Sequence, residues 1–139
     1  MRGQGFTLLE LLVVMAILGI LLAISAPNLL GFINNSRANA AAADLASALR
    51  QAGGRALSLS ERMTVSLTDS NTAVTWKNAA GTQTEKRVLP YNAAVTSVTP
   101  GTIAFSGRGL PVEQYSLTLK TGNATRTVVV LVTGKVVIP

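Results

Sequence analysis

The side chains available for chemistry are few. Histidine and cysteine are both absent from the 139 residues, which excludes disulfide frameworks, Cys/His zinc sites, thiol nucleophiles and histidine-based triads. No Gly-x-Ser-x-Gly element or phosphate-binding glycine loop occurs, and the six Asp and Glu are scattered. Nothing in the spacing of Glu85 and Glu113 marks them as an acid/base pair. The expectation is a protein that is not an enzyme and holds no metal or cofactor. Twelve Lys and Arg give a net charge of +6, so an anionic partner is to be weighed. Lys86, Arg87, Arg108, Lys120, Arg126 and Lys135 fall in segments that read as loops and strand ends. If they converge, they form a groove for double-stranded DNA, with Tyr91, Tyr115 and Trp76 as the aromatic candidates for stacking on bases. A solvated basic surface, or one facing anionic lipid, is the alternative.

One acid stands apart. Glu10 lies inside a stretch that is otherwise apolar: from Phe6 to Ala26 only Thr7, Glu10 and Ser25 are polar, and Leu11 to Ile24 carries no charge or side-chain hydrogen-bonder. As a helix that stretch is about 31 Å long, the hydrocarbon thickness of a bilayer. A buried core helix would show a polar stripe, and this one has none. A carboxylate at the centre of a span costs about 2.5–3.5 kcal/mol and less near an end. Glu10 therefore either sits in the first helical turn, where the dipole favours an acid, or awaits a cation from another chain. Arg2 is the only charge ahead of the run, which leaves the N-terminus in the cytoplasm.

A cleaved secretory signal followed by a secreted β-domain is the competing interpretation, with Ala23-Ile24-Ser25 as the small-residue site. Glu10 inside the apolar region and Pro27 beside the would-be scissile bond count against it. Gly5-Phe6-Thr7-Leu8-Leu9-Glu10 followed by the apolar run instead resembles the N-terminus of type IV pilins and type II secretion pseudopilins. That resemblance implies removal of the leader after Gly5 by a prepilin peptidase and N-methylation of the new terminus, Phe6. It also implies that Glu10 neutralises the N-terminal amine of a neighbouring subunit. A buried acid and a buried ammonium are each tolerable only when paired, so the implied chemistry is physically sound. Gly19 and Pro27 become helix-weakening positions, Pro27 because it removes a backbone donor and clashes with the preceding turn.

The elements that position these residues follow a simple order. Ala38, Ala42, Leu45, Leu49, Ala52, Ala56 and Leu59 recur at steps of three and four and predict one helical face, with a kink or early end at Gly53-Gly54. Met63–Thr68 and Thr72–Lys77 around Asp69-Ser70-Asn71 read as a hairpin. Ala94–Val98, Thr102–Ser106, Tyr115–Lys120, Arg126–Val132 and Lys135–Ile138 read as further strands, the Val128–Val132 run being central and covered on both faces. The fold class is α+β, a long N-terminal helix laid on an antiparallel sheet. By number, 1–5 is the leader, 6–27 the membrane and assembly helix, 28–60 its amphipathic second half and 61–139 a β-rich domain.

Phe105-x-Gly107-Arg108-Gly109 ahead of a closing hairpin resembles the GspH/FimT group of minor pilins and pseudopilins. Major pilins often close a C-terminal loop with a disulfide, which this chain cannot form. The resemblance implies a structural subunit of the bacterial inner membrane, N-terminus cytoplasmic and globular domain outside the cytoplasm, later part of a periplasmic or extracellular filament. Its implied partners are the prepilin peptidase, other pilins or pseudopilins, the inner-membrane assembly platform and the lipid bilayer. A secretion pseudopilin, a minor pilin of a type IV pilus and a DNA-uptake subunit all remain open at this level.

Overall fold

A computed structural model describes residues 7–139, and within them the side chains of all but 25–28. The chain divides into two units, Met1–Ile33 and Asn34–Pro139. The helix α1 (Leu8–Leu59, 52 residues) supplies elements to both. Its N-terminal stretch is long and apolar enough to cross a membrane, and no part of that window is buried by protein. Helical structure continues through Gly19, Pro27 and Gly53-Gly54 alike, so the helix does not end early at the Gly pair.

In the second unit, Ala38, Ala41, Ala42, Leu45, Ala46, Ala48, Leu49, Ala52 and Ala56 are all fully buried. That stripe is wider than the ~100° face of an ordinary surface helix, because the helix packs on two sheets and not one. Alanines dominate it, and their small volume lets the sheets approach closely. Leu59 was expected on this face but is 54% exposed, since the helix ends there and its last turn extends past the core.

Eight strands form two antiparallel sheets. The first has the order β3-β2-β1-β5, from β1 (Met63–Thr68), β2 (Ala73–Lys77), β3 (Gln83–Val88) and β5 (Ile103–Phe105). The second has the order β4-β6-β7-β8, from β4 (Ala94–Thr99), β6 (Tyr115–Thr121), β7 (Ala124–Val130) and β8 (Val136–Val137). The single sheet read from sequence is thus corrected to two, and β3, which lacks any apolar alternation, is an added strand. The α+β architecture itself is as expected. β7 is interior to its sheet, but Val128 and Val130 are buried while Val129 is only half-buried and Val132 is 56% exposed. Only one face of β7 meets the core.

Cross-links hold the layers. The β1–β2 turn places Asp69, Ser70 and Asn71 all at positive φ, and the Asn71 carbonyl accepts from the Val95 N–H at the head of β4 (3.0 Å). Buried Tyr115 on β6 accepts from the Ala104 N–H on β5 at 3.1 Å, joining one sheet to the other. The core between helix and sheets is filled by Trp76, Phe105, Tyr115, Leu117 and Leu119 among others.

Candidate functional site

The assembly residues come first. Gly5 and Phe6, the expected cleavage and methylation positions, lie outside the described residues. Glu10 lies in the first turn of α1 and is engaged by its own chain. Its Oε2 accepts from the Thr7 N–H (3.1 Å) and the Thr7 hydroxyl (3.3 Å), while its N–H donates to Thr7 Oγ1 at 3.2 Å. This reciprocal arrangement is a capping box, with Thr7 as N-cap and Glu10 three residues on. The pattern Thr-x-x-Glu ahead of an apolar run is legible in the sequence, and it is the signal that the dipole argument alone overlooks. The helix beyond it presents Leu8, Leu9, Leu11, Leu12 and Met15 to the surroundings, all exposed. A side chain at Gly19 would meet nothing within 4 Å beyond the helix itself among the described residues.

The six cations proposed for DNA do not share one place. Lys86 and Arg87 lie inside β3, not in a loop, and both are ion-paired: Lys86 with Asp69 (2.5 Å) and Arg87 with Asp44 of α1 (2.8 Å). Arg126 lies within β7, where Nε donates to Asn39 Oδ1 (2.5 Å), Nη1 to the Thr125 carbonyl (2.8 Å) and Nη2 to Asn35 Oδ1 (3.3 Å). Exposed Lys120 is near the end of β6, opposite Thr125 in register. Arg108 and Lys135 belong to turns that meet around Leu110 at the other end of the helix. Asn39 and Gly53 mark those two ends and are separated by about 21 Å of helix. The cations therefore share no single place, and even within the β6–β7 hairpin Lys120, opposite Thr125, and Arg126, opposite buried Leu119, lie on opposite faces.

Of the aromatic candidates, Trp76 and Tyr115 are fully buried in the core, and only Tyr91 is exposed. Tyr91 adopts a left-handed conformation (φ 59°) in a 3-10 turn (Pro90–Asn92), and the Arg37 guanidinium lies 5.9 Å from its ring centroid. Glu85 is paired with Arg55 of α1, and Glu113 sits exposed in the loop ahead of β6.

The Phe105–Gly109 element has a packing role that spacing alone does not disclose. A side chain at Gly53 would meet the Gly109 carbonyl at 2.9 Å, and one at Gly109 would meet the Gly53 carbonyl at 2.8 Å. One at Gly107 would strike the Ser60 carbonyl at 2.6 Å. The loop backbone thus lies directly on the helix backbone, and a side chain at Gly53 would also meet the Phe105 ring at 3.4 Å. Gly53 is in the helix for this close contact.

Comparison with known proteins agrees with this architecture. Residues 1–26 match the family described as the prokaryotic N-terminal methylation motif, and residues 41–134, more than half of the chain, match the family described as Type II transport protein GspH. No curated protein sequence matches the chain. Among solved structures, the type IV minor pilin FimU of Pseudomonas aeruginosa superposes with a TM-score of 0.62 at 13% identity, covering 78% of this chain and 92% of that one. The minor pseudopilin EpsH from the Type 2 Secretion System of Vibrio cholerae superposes with a TM-score of 0.57 at 12% identity, covering 74% of this chain and 96% of that one. At such identities these likenesses show the pilin-like fold alone. With its N-terminal methylation motif ahead of a domain that matches over residues 41–134, the chain belongs to the family described as Type II transport protein GspH.

Proposed function

We propose that this protein is a structural, non-catalytic minor subunit of a type IV pilus or a type II secretion filament. It is inserted in the bacterial inner membrane by its N-terminal helix, with the globular domain outside the cytoplasm. Prepilin peptidase cuts after Gly5, Phe6 is N-methylated, and the assembly platform then moves the subunit into a filament beside other pilins or pseudopilins. The observation that carries this reading is the exposed apolar length of α1 with a single carboxylate, Glu10, at its start. In the monomer Glu10 is held by Thr7. In a filament the same carboxylate is free to exchange those neutral donors for the ammonium of an adjacent Phe6, a stronger charge-assisted bond.

The test is Glu10→Val. Insertion and processing at Phe6 stay intact, while incorporation into sheared filaments drops sharply; normal incorporation would remove the charge-pairing mechanism. Gly5→Leu leaves the precursor uncut, read by the mass of the membrane-extracted chain. A role as DNA receptor is the less supported reading, because Lys86 and Arg87 are neutralised and the remaining four cations lie at opposite ends of the domain.

A further inference from the structure

Within the second unit the two flanks of α1 differ in how their charges are met. Toward β3, Asp44 and Arg55 each face a strand residue of opposite sign, Arg87 and Glu85. Toward the second sheet the contacts are cationic and their acceptors neutral: Arg126 of β7 donates to Asn35 and Asn39, and Arg50 donates to the Val136 carbonyl of β8. From Asn39 to Arg50 is about 17 Å along the helix and about 20° round it, so the two arginine contacts lie on one side, about three turns apart. The strands give a similar span. Val130, the register partner of Val136, is about 13 Å along β7 from Arg126.

No acid accompanies them. The strands of the second sheet contain neither Asp nor Glu, and Glu113 is the only acid after Glu85. Asp44 and Glu85 belong to the other flank. Asp69 is held by Lys86, in the turn that meets the head of β4, two strands from β7. Glu61 follows the end of α1, and Glu113 precedes β6, two strands from β8. A guanidinium has five N–H donors, so Arg50 keeps four and Arg126 two for an acceptor from outside. Beside them the outer ridge of the helix is short-chained, with Ala40, Ala43 and Gly54 exposed and Ser47 half-buried. A second helix can therefore lie at the ~8–10 Å of ordinary helix packing.

We infer that this flank binds an acidic α-helix of a different subunit, whose carboxylates, three turns apart on one face, meet Arg126 and Arg50. All the residues involved belong to the unit Asn34–Pro139. That the occupant is a neighbouring subunit rests on the filament reading above. Charge selects against a second copy of this chain: its net charge is +6, and the part of α1 in this unit has one acid, Asp44, already paired with Arg87. Asn35 and Asn39 hold the Arg126 fork in place before a partner arrives, which lowers the ordering cost of capture.

The full chain in uncharged detergent is titrated with a fluorescent, alanine-rich helical peptide bearing a pair of Glu about three turns apart on one face. A second peptide of the same composition has one Glu moved to the opposite face. The matched peptide is expected to bind several-fold more tightly at low salt, and the difference fades as salt is raised. Arg50→Gln and Arg126→Gln each weaken its binding about two- to fivefold. Arg126→Lys, which keeps the charge, retains most of the affinity, and Arg62→Gln/Lys77→Gln, which removes charge elsewhere, leaves it unchanged. Equal binding of the two peptides, or an equal loss in the Arg62/Lys77 control, overturns the inference and leaves the filament reading standing. Tighter binding of a DNA duplex at the same two arginines also overturns it and assigns the flank to nucleic acid. In cells, Arg50→Glu/Arg126→Glu is expected to be inserted and processed at Phe6 yet several-fold depleted from sheared filaments; normal incorporation overturns the inference. A parent chain absent from filaments overturns the filament reading, and with it the occupant named here.

Discussion

Single residues decide how closely the helix and the Phe105–Gly109 loop approach. Gly109 has φ +75° and its missing Cβ would lie 2.8 Å from the Gly53 carbonyl and 3.0 Å from Leu57 Cβ, so both conformation and space demand glycine. Gly109→Ala is expected to destabilise the domain by about 2 kcal/mol or more, read by denaturant melts of the full chain in detergent. At Gly54, one position from Gly53, an added Cβ would meet nothing within 4 Å, and the residue is exposed. Gly54→Ala should therefore stabilise by about 0.5–1 kcal/mol in the same assay. Sequence reads the two glycines as one weak spot, because the distinction lies in a partner fifty-odd residues away. Glu10 illustrates the opposite case: its cap with Thr7 is local, and a four-residue pattern suffices to see it.

At the level of elements, β3 owes its place to charge and pairing, with little help from burial. Arg87 meets Asp44 at 2.8 Å, Glu85 meets Arg55, and β2 supplies the ladder, while the strand's own residues are largely exposed. Asp44→Asn is expected to cost about 0.5 kcal/mol, a partly screened pair. Exchange of β3 amides should quicken several-fold relative to β1, and high salt should mimic the effect in the parent chain. Strands with apolar alternation or clear turn chemistry, such as the pair around Asp69-Ser70-Asn71, are legible from sequence because their signals are local. Gln83–Val88 carries none of those signals, being strand only because β2 and α1 are beside it. Lys86 and Arg87 fall inside this strand and not in a loop for the same reason: side chains that look free in sequence find carboxylates only once the fold brings them near.

Across the whole molecule, two sheets share one helix, and that division also escaped the sequence, since strand order depends on register between distant segments. The flanks of the helix show the arrangement directly: Asp44 and Arg55 reach β3 of the first sheet, and Arg50 donates to the Val136 carbonyl of β8 in the second (3.2 Å). Between the sheets, the Tyr115 hydroxyl answers the Ala104 N–H in the buried core. Tyr115→Phe should leave that N–H without a partner and lower stability by about 1–3 kcal/mol, with the fold retained by circular dichroism. The outer strand of the first sheet has a consequence for crowding. Glu85, Lys86 and Arg87 are each neutralised within the chain, so copies meeting along this border find fixed, mutually satisfied charges where an adhesive row of amides would otherwise be offered. Copies brought to high local concentration are thereby kept from zipping together side by side along this strand.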